Sequence, residues 1–388
     1  MMEKFFFDLS VILVGSAAFS FLAVLSKQPI IIAYIICGII VGPWGFRLVK
    51  HAEFIEMISH LGITLLLFLA GLCLHPQKLA RLFKATSLIT VAHSCVSFVI
   101  AFCCGRLFGF GTIDSICIGL AFMFSSTILV IKLLPTTELH HKKMGAICIG
   151  VLILQDLLAV TTLAFIRCLD APQGALISFV LLLIKLSVFI GALVLLEQFV
   201  LRRIMMIVNR MHELLFIVGL AWCFGIASIS NMMGLFYATG AFFAGVVIAR
   251  HPISLFISEK LKPLRDFFLV LFFFTLGAQL DLVEMKAIVV PAILISVLFL
   301  ALKPWLFARF FTLAGEKKEF AQEVGGRLGQ FSEFSLLVAM LALELGHVTK
   351  SAAQLIKLTT IITFIVSSYI VVFNYPTPIG TSKKLIRD

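Results

Sequence analysis

The residue that most clearly points to chemistry is a carboxylate inside a long apolar segment. Asp156 lies within GVLILQDLLAVTTLAF, residues 150–165, which is otherwise apolar enough to cross a bilayer. An acid at the centre of such a segment costs at least about 2.5 kcal/mol on insertion, so these residues usually face a bundle interior or a water-filled path. The alternative is a structural acid paired with a fixed base. The pattern favours an ion-binding or proton-binding role for Asp156.

Four further polar residues in apolar segments are candidates to act with Asp156. Gln155, its neighbour, offers an amide oxygen that can ligate a cation but cannot titrate. Ser126 and Thr127, in SSTILVIK, and Glu333, in GQFSEF, indicate two broken helices, whose unwound carbonyls and helix ends hold charged groups near the membrane centre. For the Ser–Thr segment alone, hydroxyls that bond their own backbone carbonyls explain the pattern equally well.

One basic residue also lies in the middle of an apolar segment. Lys303, in LFLALKPWLF, needs a counter-charge if its ammonium group is buried. Asp156 is the preferred charge partner and Glu333 the second choice. Alternatively, the side chain reaches the membrane surface or neutralises helix C-termini.

A single buried carboxylate supports a simple exchange reaction. Desolvation favours the neutral carboxyl group and a cation can replace the proton's charge, so Asp156 holds a proton or an alkali metal ion but not both. This predicts an antiporter that exchanges H+ for K+ or Na+, with Asp156 as the ligand of the transported metal ion. Two alternatives stay open: a cation channel, which needs no titrating acid, and a non-transporting membrane sensor or partner-binding subunit.

The composition is that of a polytopic membrane protein. Of 388 residues, 61% are hydrophobic and 13% charged, and the mean hydropathy is +1.13, whereas soluble domains are roughly 45–50% apolar and 25% charged.

Two segments resemble enzyme motifs but are incomplete. HELLF at His212 has Phe216 where a zinc protease has its second histidine, and GFGTID at Gly109 lacks the third glycine of a dinucleotide loop. The nine cysteines are scattered without a Cys-x-x-Cys pair. We therefore expect neither an enzyme nor a cofactor.

Windows of about 20 apolar residues predict an all-α fold of thirteen transmembrane helices. They lie near 5–25, 29–46, 55–74, 85–104, 113–133, 144–166, 175–200, 213–230, 233–250, 266–282, 287–311, 325–345 and 352–373. With the N-terminus outside, the cytoplasmic connections and the C-terminus hold 21 basic residues and the opposite face 7. This asymmetry predicts a cytoplasmic C-terminus and explains the net charge of +11 without a nucleic-acid partner.

An internal repeat relates the two halves of the chain. Three matches share an offset of 206 or 207: Gly38 with Gly245, Gly71 with Gly277, and residues 125–127 with 331–333. Because this offset spans seven helices, an odd number, the second copy is inverted, which is typical of alternating-access transporters. We predict one transmembrane domain, 1–388, with repeat 1 at about 5–166, a linker helix at 175–200, repeat 2 at about 213–373 and no soluble regulatory domain.

The order and spacing of several segments resemble the cation:proton antiporter-2 family, especially its Kef-type potassium/proton members. The segments are AYIICGIIVGPWGF, LGITLLLFLAGLCLHPQKL, SSTILVIKLL, GVLILQDLLAV, GLFYATGAFFAGVVIA, LFFFTLGAQLDL and GQFSEFSLLVA, of which GPWG and QD are the most specific pieces. The resemblance implies a sodium/proton-antiporter-like fold with two crossing broken helices, a dimerisation domain and a moving core domain. It also implies a homodimer in the cytoplasmic (inner) membrane.

Carried over by position, the resemblance assigns roles to six residues: Asp156 as the ion-binding acid, Gln155 as its Kef-type neighbour, Lys303 as the basic residue of the facing helix, and Ser126, Thr127 and Glu333 as the polar residues of the crossing. Electrogenic relatives usually have Asn or Asp at the position of Gln155, so glutamine favours electroneutral exchange.

Two features depart from the family. Cys73 replaces the usual acid of the GLEL string, and no nucleotide-binding domain follows the last helix, so glutathione or NAD control through this polypeptide is not expected, while a separate regulatory subunit stays open.

Overall fold

The computed structural model is built from α-helices. It describes residues 2–26, 28–49, 52–72, 76–135, 143–167, 175–208, 212–235, 237–249 and 253–377. Cys73 and the C-terminal residues 378–388 lie outside these ranges. The all-α fold is confirmed.

In chain order, the helices are α1 (Met2–Leu25), α2 (Ile30–Val41), α3 (Ala52–Leu72), α4 (Pro76–Leu107), α5 (Thr112–Ala121), α6 (Thr127–Leu133), α7 (Lys143–Ile166), α8 (Ala175–Leu196), α9 (Arg202–Val208), α10 (His212–Met232), α11 (Tyr237–Ile248), α12 (Ile253–Ala278), α13 (Leu282–Leu313), α14 (Lys318–Arg327), α15 (Glu333–Glu344) and α16 (Lys350–Asn374). A π-helical segment, Glu197–Leu201, joins α8 to α9. Within the described residues, seven helices are long and apolar enough to cross a membrane. The count of thirteen spans remains a prediction.

The chain forms two units, which are described separately. The first comprises Met1–Ser20, Ala33–Leu79 and Cys168–Gln279, and the second comprises Phe21–Ile32, Ala80–Arg167 and Leu280–Asp388. The first unit therefore contains α3, α8 to α12 and most of α1 and α2. The second contains most of α4 and all of α5 to α7 and α13 to α16.

Helices of the first unit approach each other closely at glycines. Helix α2 meets α12 at Gly38, where an added Cβ would overlap the carbonyl oxygen of Phe274. The same contact seen from α12 involves Gly277, where a Cβ would overlap the carbonyl oxygen of Ile35. Only glycine allows the two backbones to approach this closely.

A matching contact joins α3 and α11 in the same unit. A Cβ on Gly245 would overlap the carbonyl oxygen of Phe68, and a Cβ on Gly71 would overlap that of Phe242. The two glycines here are the predicted repeat equivalents of Gly38 and Gly277, and the two carbonyls lie at the same offsets, 206 and 207, from those in the contact between α2 and α12. These paired contacts support the inverted repeat, whose exact residue bounds remain predictions.

The second unit has its own apolar core, which holds the site described below. Its buried residues come from α4, α6, α7, α13 and α14 and include Ile89, Val130, Cys148, Val151, Phe307, Val324 and Leu328. Three further aromatic rings pack nearby: Phe122 stacks on Phe331 with ring centroids 4.1 Å apart, and Phe299 lies against both. Three helices that contribute to this core, α6, α7 and α13, also carry polar residues of the predicted site.

Candidate functional site

Two helical paths of the second unit are interrupted at the predicted polar segments. The first stops after Ala121, at the end of α5, and resumes at Thr127 in α6. The second stops after Arg327, at the end of α14, and resumes at Glu333 in α15. Serine and threonine side chains offer the backbone hydrogen bonds that compete with a continuous helix. Both predicted breaks are confirmed.

A serine N-cap starts the second half of each broken helix. The Ser126 hydroxyl accepts a hydrogen bond from the Leu129 amide at 3.1 Å. The Ser332 hydroxyl accepts one from the Phe334 amide at 3.1 Å, and Ser335 completes a capping box by accepting from the Ser332 amide. Since N-caps satisfy N–H groups that have no partner within the helix, each helix can restart away from water.

The two breaks are hydrogen-bonded to each other. The Ser125 hydroxyl donates to the carbonyl oxygen of Leu328 at 2.8 Å. The Ser335 hydroxyl donates to the carbonyl oxygen of Ala121. The broken helices therefore cross and hold each other in place, as the family resemblance implies.

Lys303 of α13 binds one backbone carbonyl in each break, three residues beyond the ends of α5 and α14. Its side chain is fully buried, and its Nζ donates to the carbonyl oxygens of Phe124 at 2.6 Å and Gln330 at 2.9 Å. The ammonium group also lies 5.0 Å from the ring centre of Phe331. The C-terminal end of a helix carries a partial negative charge, so an ammonium group held just beyond the ends of α5 and α14 is stabilised by both.

The prediction that Lys303 pairs with Asp156 is wrong for this structure. Within the described residues, Lys303 forms an ion pair with neither Asp156 nor Glu333, since its contacts are to the two carbonyl oxygens. The alternative, that it neutralises helix C-termini, describes the observed contacts. Carbonyl dipoles can replace a carboxylate here because two helix ends converge on one point.

Glu333 lies at the two N-terminal ends of the crossing. It is the first residue of α15, and its Oε1 accepts a hydrogen bond from the amide of Ile128, near the start of α6, at 3.4 Å. Its Oε2 is buried and has no hydrogen-bond partner within the described residues. Helix N-termini carry a partial positive charge, which favours a carboxylate at this position.

Asp156 of α7 has few donors for a buried carboxylate. Its side chain is buried, with 4% of the residue exposed. The hydroxyl of Thr127, the first residue of α6, is 3.1 Å from Oδ1 and 3.3 Å from Oδ2. No other hydrogen bond reaches this carboxylate from the described part of the chain. A charge with one weak donor needs a proton or a cation to offset its desolvation.

Gln155 supports the first break. It is fully buried, its Oε1 accepts a hydrogen bond from the Ser125 amide at 2.9 Å, and its Nε2 is 3.4 Å from the carbonyl oxygen of Met123. The amide oxygen predicted to ligate a cation is therefore engaged with the backbone of the break. In this arrangement, Gln155 positions the segment that ends in Thr127.

The structure thus brings the predicted residues of α6, α7, α13 and α15 together at one crossing: Ser126, Thr127, Gln155, Asp156, Lys303 and Glu333. Sequence reasoning assigned no role to Ser125 and Gln330, which are fully buried and bridge the two breaks. Both lie in polar strings that were recognisable in the sequence. Their bridging role depends on which backbone atoms lie opposite, which the sequence does not show.

Comparisons with known proteins agree with this geometry. The family described as sodium/hydrogen exchanger, transmembrane, matches residues 9–373. The glutathione-regulated potassium-efflux system protein KefC of Klebsiella pneumoniae is 31% identical over 319 residues, which are 79% of this chain and 50% of that protein. The iron transporter MagA of Paramagnetospirillum magneticum is 27% identical over 348 residues, 88% of this chain and 79% of that protein. The chain spans about half the length of the KefC proteins that it matches.

The fold is also found among solved structures. The sodium proton antiporter MjNhaP1 of Methanocaldococcus jannaschii has a TM-score of 0.69 to this chain, with 15% sequence identity, and the match covers 95% of this chain and 96% of that one. At this low identity, the likeness concerns the fold. It agrees with the antiporter-like architecture predicted from the sequence.

Proposed function

Because the chain belongs to the transmembrane sodium/hydrogen exchanger family, we propose that it is a secondary antiporter, and not an enzyme, that exchanges a proton for K+ or Na+ at Asp156. The name of the KefC relatives refers to potassium efflux, and that of the structural neighbour to sodium and protons. These names support a monovalent cation as the second substrate. The choice between K+ and Na+ depends on the shape of the occupied site.

The observation that carries this proposal is that Asp156 has few hydrogen-bond donors for a buried carboxylate. Asp114, another buried carboxylate of the second unit, accepts from the amide of Thr349 at 2.8 Å and from its hydroxyl at 3.1 Å, one bond to each oxygen. Asp156 shares the single hydroxyl of Thr127 between its two oxygens. A carboxylate with a separate donor on each oxygen is typical of a structural role, whereas Asp156 has room for an exchangeable partner.

The surrounding fixed charges support electroneutral exchange. Lys303 is neutralised by two helix C-termini and Glu333 faces two helix N-termini. Asp156 is then the charge that each transport step must balance, with either one proton or one monovalent cation. Both half-cycles carry the same net charge, which gives a one-for-one exchange.

The proposal also covers the membrane, the orientation of the termini and the oligomeric state. The excess of basic residues in alternate connections supports an N-terminus outside and a cytoplasmic C-terminus in a cytoplasmic (inner) membrane. The family resemblance supports a homodimer. Cysteine labelling of residues near the two termini from either side of the membrane tests the orientation.

Transport in proteoliposomes tests the proposal directly. The purified chain is reconstituted with a pH-sensitive dye inside, and K+, Na+ or Li+ is added outside at several pH values. We expect proton movement in the wild type and its loss, by more than about 100-fold, in Asp156→Asn, since the amide can neither release a proton nor carry the charge that a cation needs. The matched control is Asp114→Asn, in which a buried carboxylate with a full set of donors is replaced and exchange is expected to continue.

The pH dependence provides a second criterion. If proton and cation compete for one carboxylate, the apparent KM for the cation rises as pH falls and approaches about a tenfold change per pH unit in the acid range by mass action. Exchange that is unaffected in Asp156→Asn would overturn the assignment. Cation conductance that persists without proton coupling would favour a channel, and a wild type that moves no protons with any of the three cations would favour a sensor.

A further inference from the structure

Gln330 connects three elements at the crossing and has no role in the exchange reaction proposed above. It lies in the second break, between α14 and α15, and is fully buried. Its backbone carbonyl oxygen accepts from Lys303 at 2.9 Å. Its side-chain amide makes two further contacts.

The two ends of the Gln330 amide bind different elements. Nε2 lies 3.4 Å from the carbonyl oxygen of Ser126, in the first break. Oε1 accepts a hydrogen bond from the hydroxyl of Ser367, in α16, at 3.0 Å. A primary amide can do this because it carries donors and an acceptor on one planar group. Fixing the acceptor end on Ser367 also fixes the direction in which the donor end points.

The contact with Ser126 reaches the ion site through one peptide bond. The carbonyl of Ser126 and the nitrogen of Thr127 belong to the same planar unit, so a hydrogen bond on this carbonyl limits the orientation of Thr127. Thr127 supplies the one hydroxyl that binds Asp156. A second contact ties the same break to α16, since the amide of Phe331 donates to the hydroxyl of Thr363 at 3.3 Å.

We propose that Gln330 is a positioning residue for cation binding, with its own orientation set by Ser367 of α16. It holds the carbonyl of Ser126, and through that peptide it holds the Thr127 hydroxyl against Asp156. The inference rests on the proposed exchange function and adds to it a path from α16 to the ion site. Loss of Gln330 loosens the donor on Asp156 without removing any group that carries charge.

Substitutions that remove one contact at a time test this path. Gln330→Met keeps the length of the side chain and removes both amide contacts. Ser367→Ala removes only the hydroxyl that orients the amide, and Ser367→Thr retains it. The matched control is Ser368→Ala, because the neighbouring Ser368 is equally buried and its hydroxyl donates to the carbonyl oxygen of Phe364 within α16.

Two readouts separate positioning from general stability. The first is cation-driven exchange in proteoliposomes, from which apparent KM and maximal rate are obtained at several pH values. The second is the cation concentration that raises the melting temperature of the purified protein by half of its maximal shift, which does not depend on transport. We expect Gln330→Met to raise both the apparent KM and this concentration by about threefold to tenfold, the size of one modest hydrogen bond, with a maximal rate near that of the wild type.

The variants should show a defined order. Ser367→Ala is expected to raise the apparent KM by less than Gln330→Met, and the double variant should match Gln330→Met, since Ser367 acts through Gln330. Ser367→Thr and Ser368→Ala should resemble the wild type. If Gln330→Met is too unstable to reconstitute, the thermal measurement on Ser367→Ala and Ser368→Ala is sufficient. A higher half-maximal cation concentration in Ser367→Ala, with a wild-type value in Ser368→Ala, would support the inference.

The outcomes distinguish this inference from the proposed function. A lower melting temperature in Gln330→Met and Ser367→Ala with unchanged cation dependence would assign these residues to stability only and overturn the positioning role, while leaving Asp156-dependent exchange intact. A wild type that neither exchanges cations nor is stabilised by them would overturn both. Additive effects of Gln330→Met and Ser367→Ala would overturn the path through Gln330.

Discussion

The two pairs of helix ends at the crossing lie beside side chains of opposite charge. Beside the C-terminal pair, formed by the ends of α5 and α14, lies Lys303, which is fully buried and donates at 2.6 and 2.9 Å to one carbonyl of the break that follows each end. The N-terminal pair, formed by the starts of α6 and α15, lies beside the carboxylates Asp156 and Glu333. Its hydrogen bonds are longer, at 3.1 to 3.4 Å, and Oε2 of Glu333 has no partner within the described residues.

Under the proposed exchange function, this difference separates a fixed charge from an exchangeable one. At the C-terminal pair, the chain supplies its own cation, so the site is permanently occupied. At the N-terminal pair, the negative charges exceed what one hydroxyl and one backbone amide can satisfy, which leaves a demand for an external proton or cation. The two pairs of helix ends therefore serve different purposes, because a lysine is present at one pair and two carboxylates at the other.

The largest expected effect comes from opening the C-terminal pair with Lys303→Met. Two buried carbonyls lose their donor, and each unsatisfied group costs about 1–3 kcal/mol. We expect a large drop in the melting temperature of the purified protein, measured by size-exclusion chromatography after heating, together with loss of exchange. Lys185→Met, which removes an exposed lysine from the middle of α8, is the control and should melt like the wild type. Equal melting of the two variants would mean that Lys303 is not needed to close this pair.

An intermediate effect is expected from removing one charge of the N-terminal pair with Glu333→Gln. The amide oxygen can still accept from the Ile128 amide, so the crossing is kept. A cation near Asp156 loses part of its electrostatic attraction, and we expect the apparent KM for K+ or Na+ to rise about tenfold, corresponding to roughly 1.4 kcal/mol. Glu344→Gln, at the far end of α15, is the control for loss of a charge from the same helix. A wild-type KM in Glu333→Gln would restrict the cation site to Asp156 and its hydroxyl donor.

The smallest expected effect comes from removing the one donor to Asp156 with Thr127→Val. The two side chains have nearly the same shape, so the comparison concerns the hydroxyl group. A net hydrogen bond of about 0.5–1.5 kcal/mol corresponds to a change of about threefold to tenfold in apparent KM. Thr127→Ser keeps the hydroxyl and should behave like the wild type in the same exchange assay. If both variants behave alike, the contact seen between Thr127 and Asp156 does not contribute to ion binding.

Many residues of this site could be predicted from residue types and their positions in the sequence. Asp156, Lys303 and Glu333 stood out because a charge in an apolar segment is costly, and the serine-containing strings indicated the two breaks. Their meeting at one crossing was expected from the repeat and the family resemblance. The partner of Lys303 was predicted wrongly, since the rule that a buried ammonium needs a counter-charge does not say whether a carboxylate or converging carbonyls supply it.

The hydrogen-bond partners of Gln155 and Gln330 could not be predicted from residue types. A glutamine in an apolar segment signals a buried hydrogen bond, but the partners here include backbone groups of Ser125, Met123 and Ser126, in the break between α5 and α6. Every residue carries such groups, so the sequence contains no mark that singles these out. The contacts depend on where each helix stops and at what height the two breaks meet.

The amino-acid order was sufficient to predict a membrane protein with repeated helices, two interruptions and an acid in the middle of an apolar segment, because hydropathy and the cost of burying charge act locally along the chain. The assignment of each charge to its counterpart came only from the folded arrangement. Helix dipoles and backbone carbonyls act over a few ångströms in three dimensions, and their convergence on Lys303, Glu333 and Asp156 exists only when helices far apart in the chain are packed together.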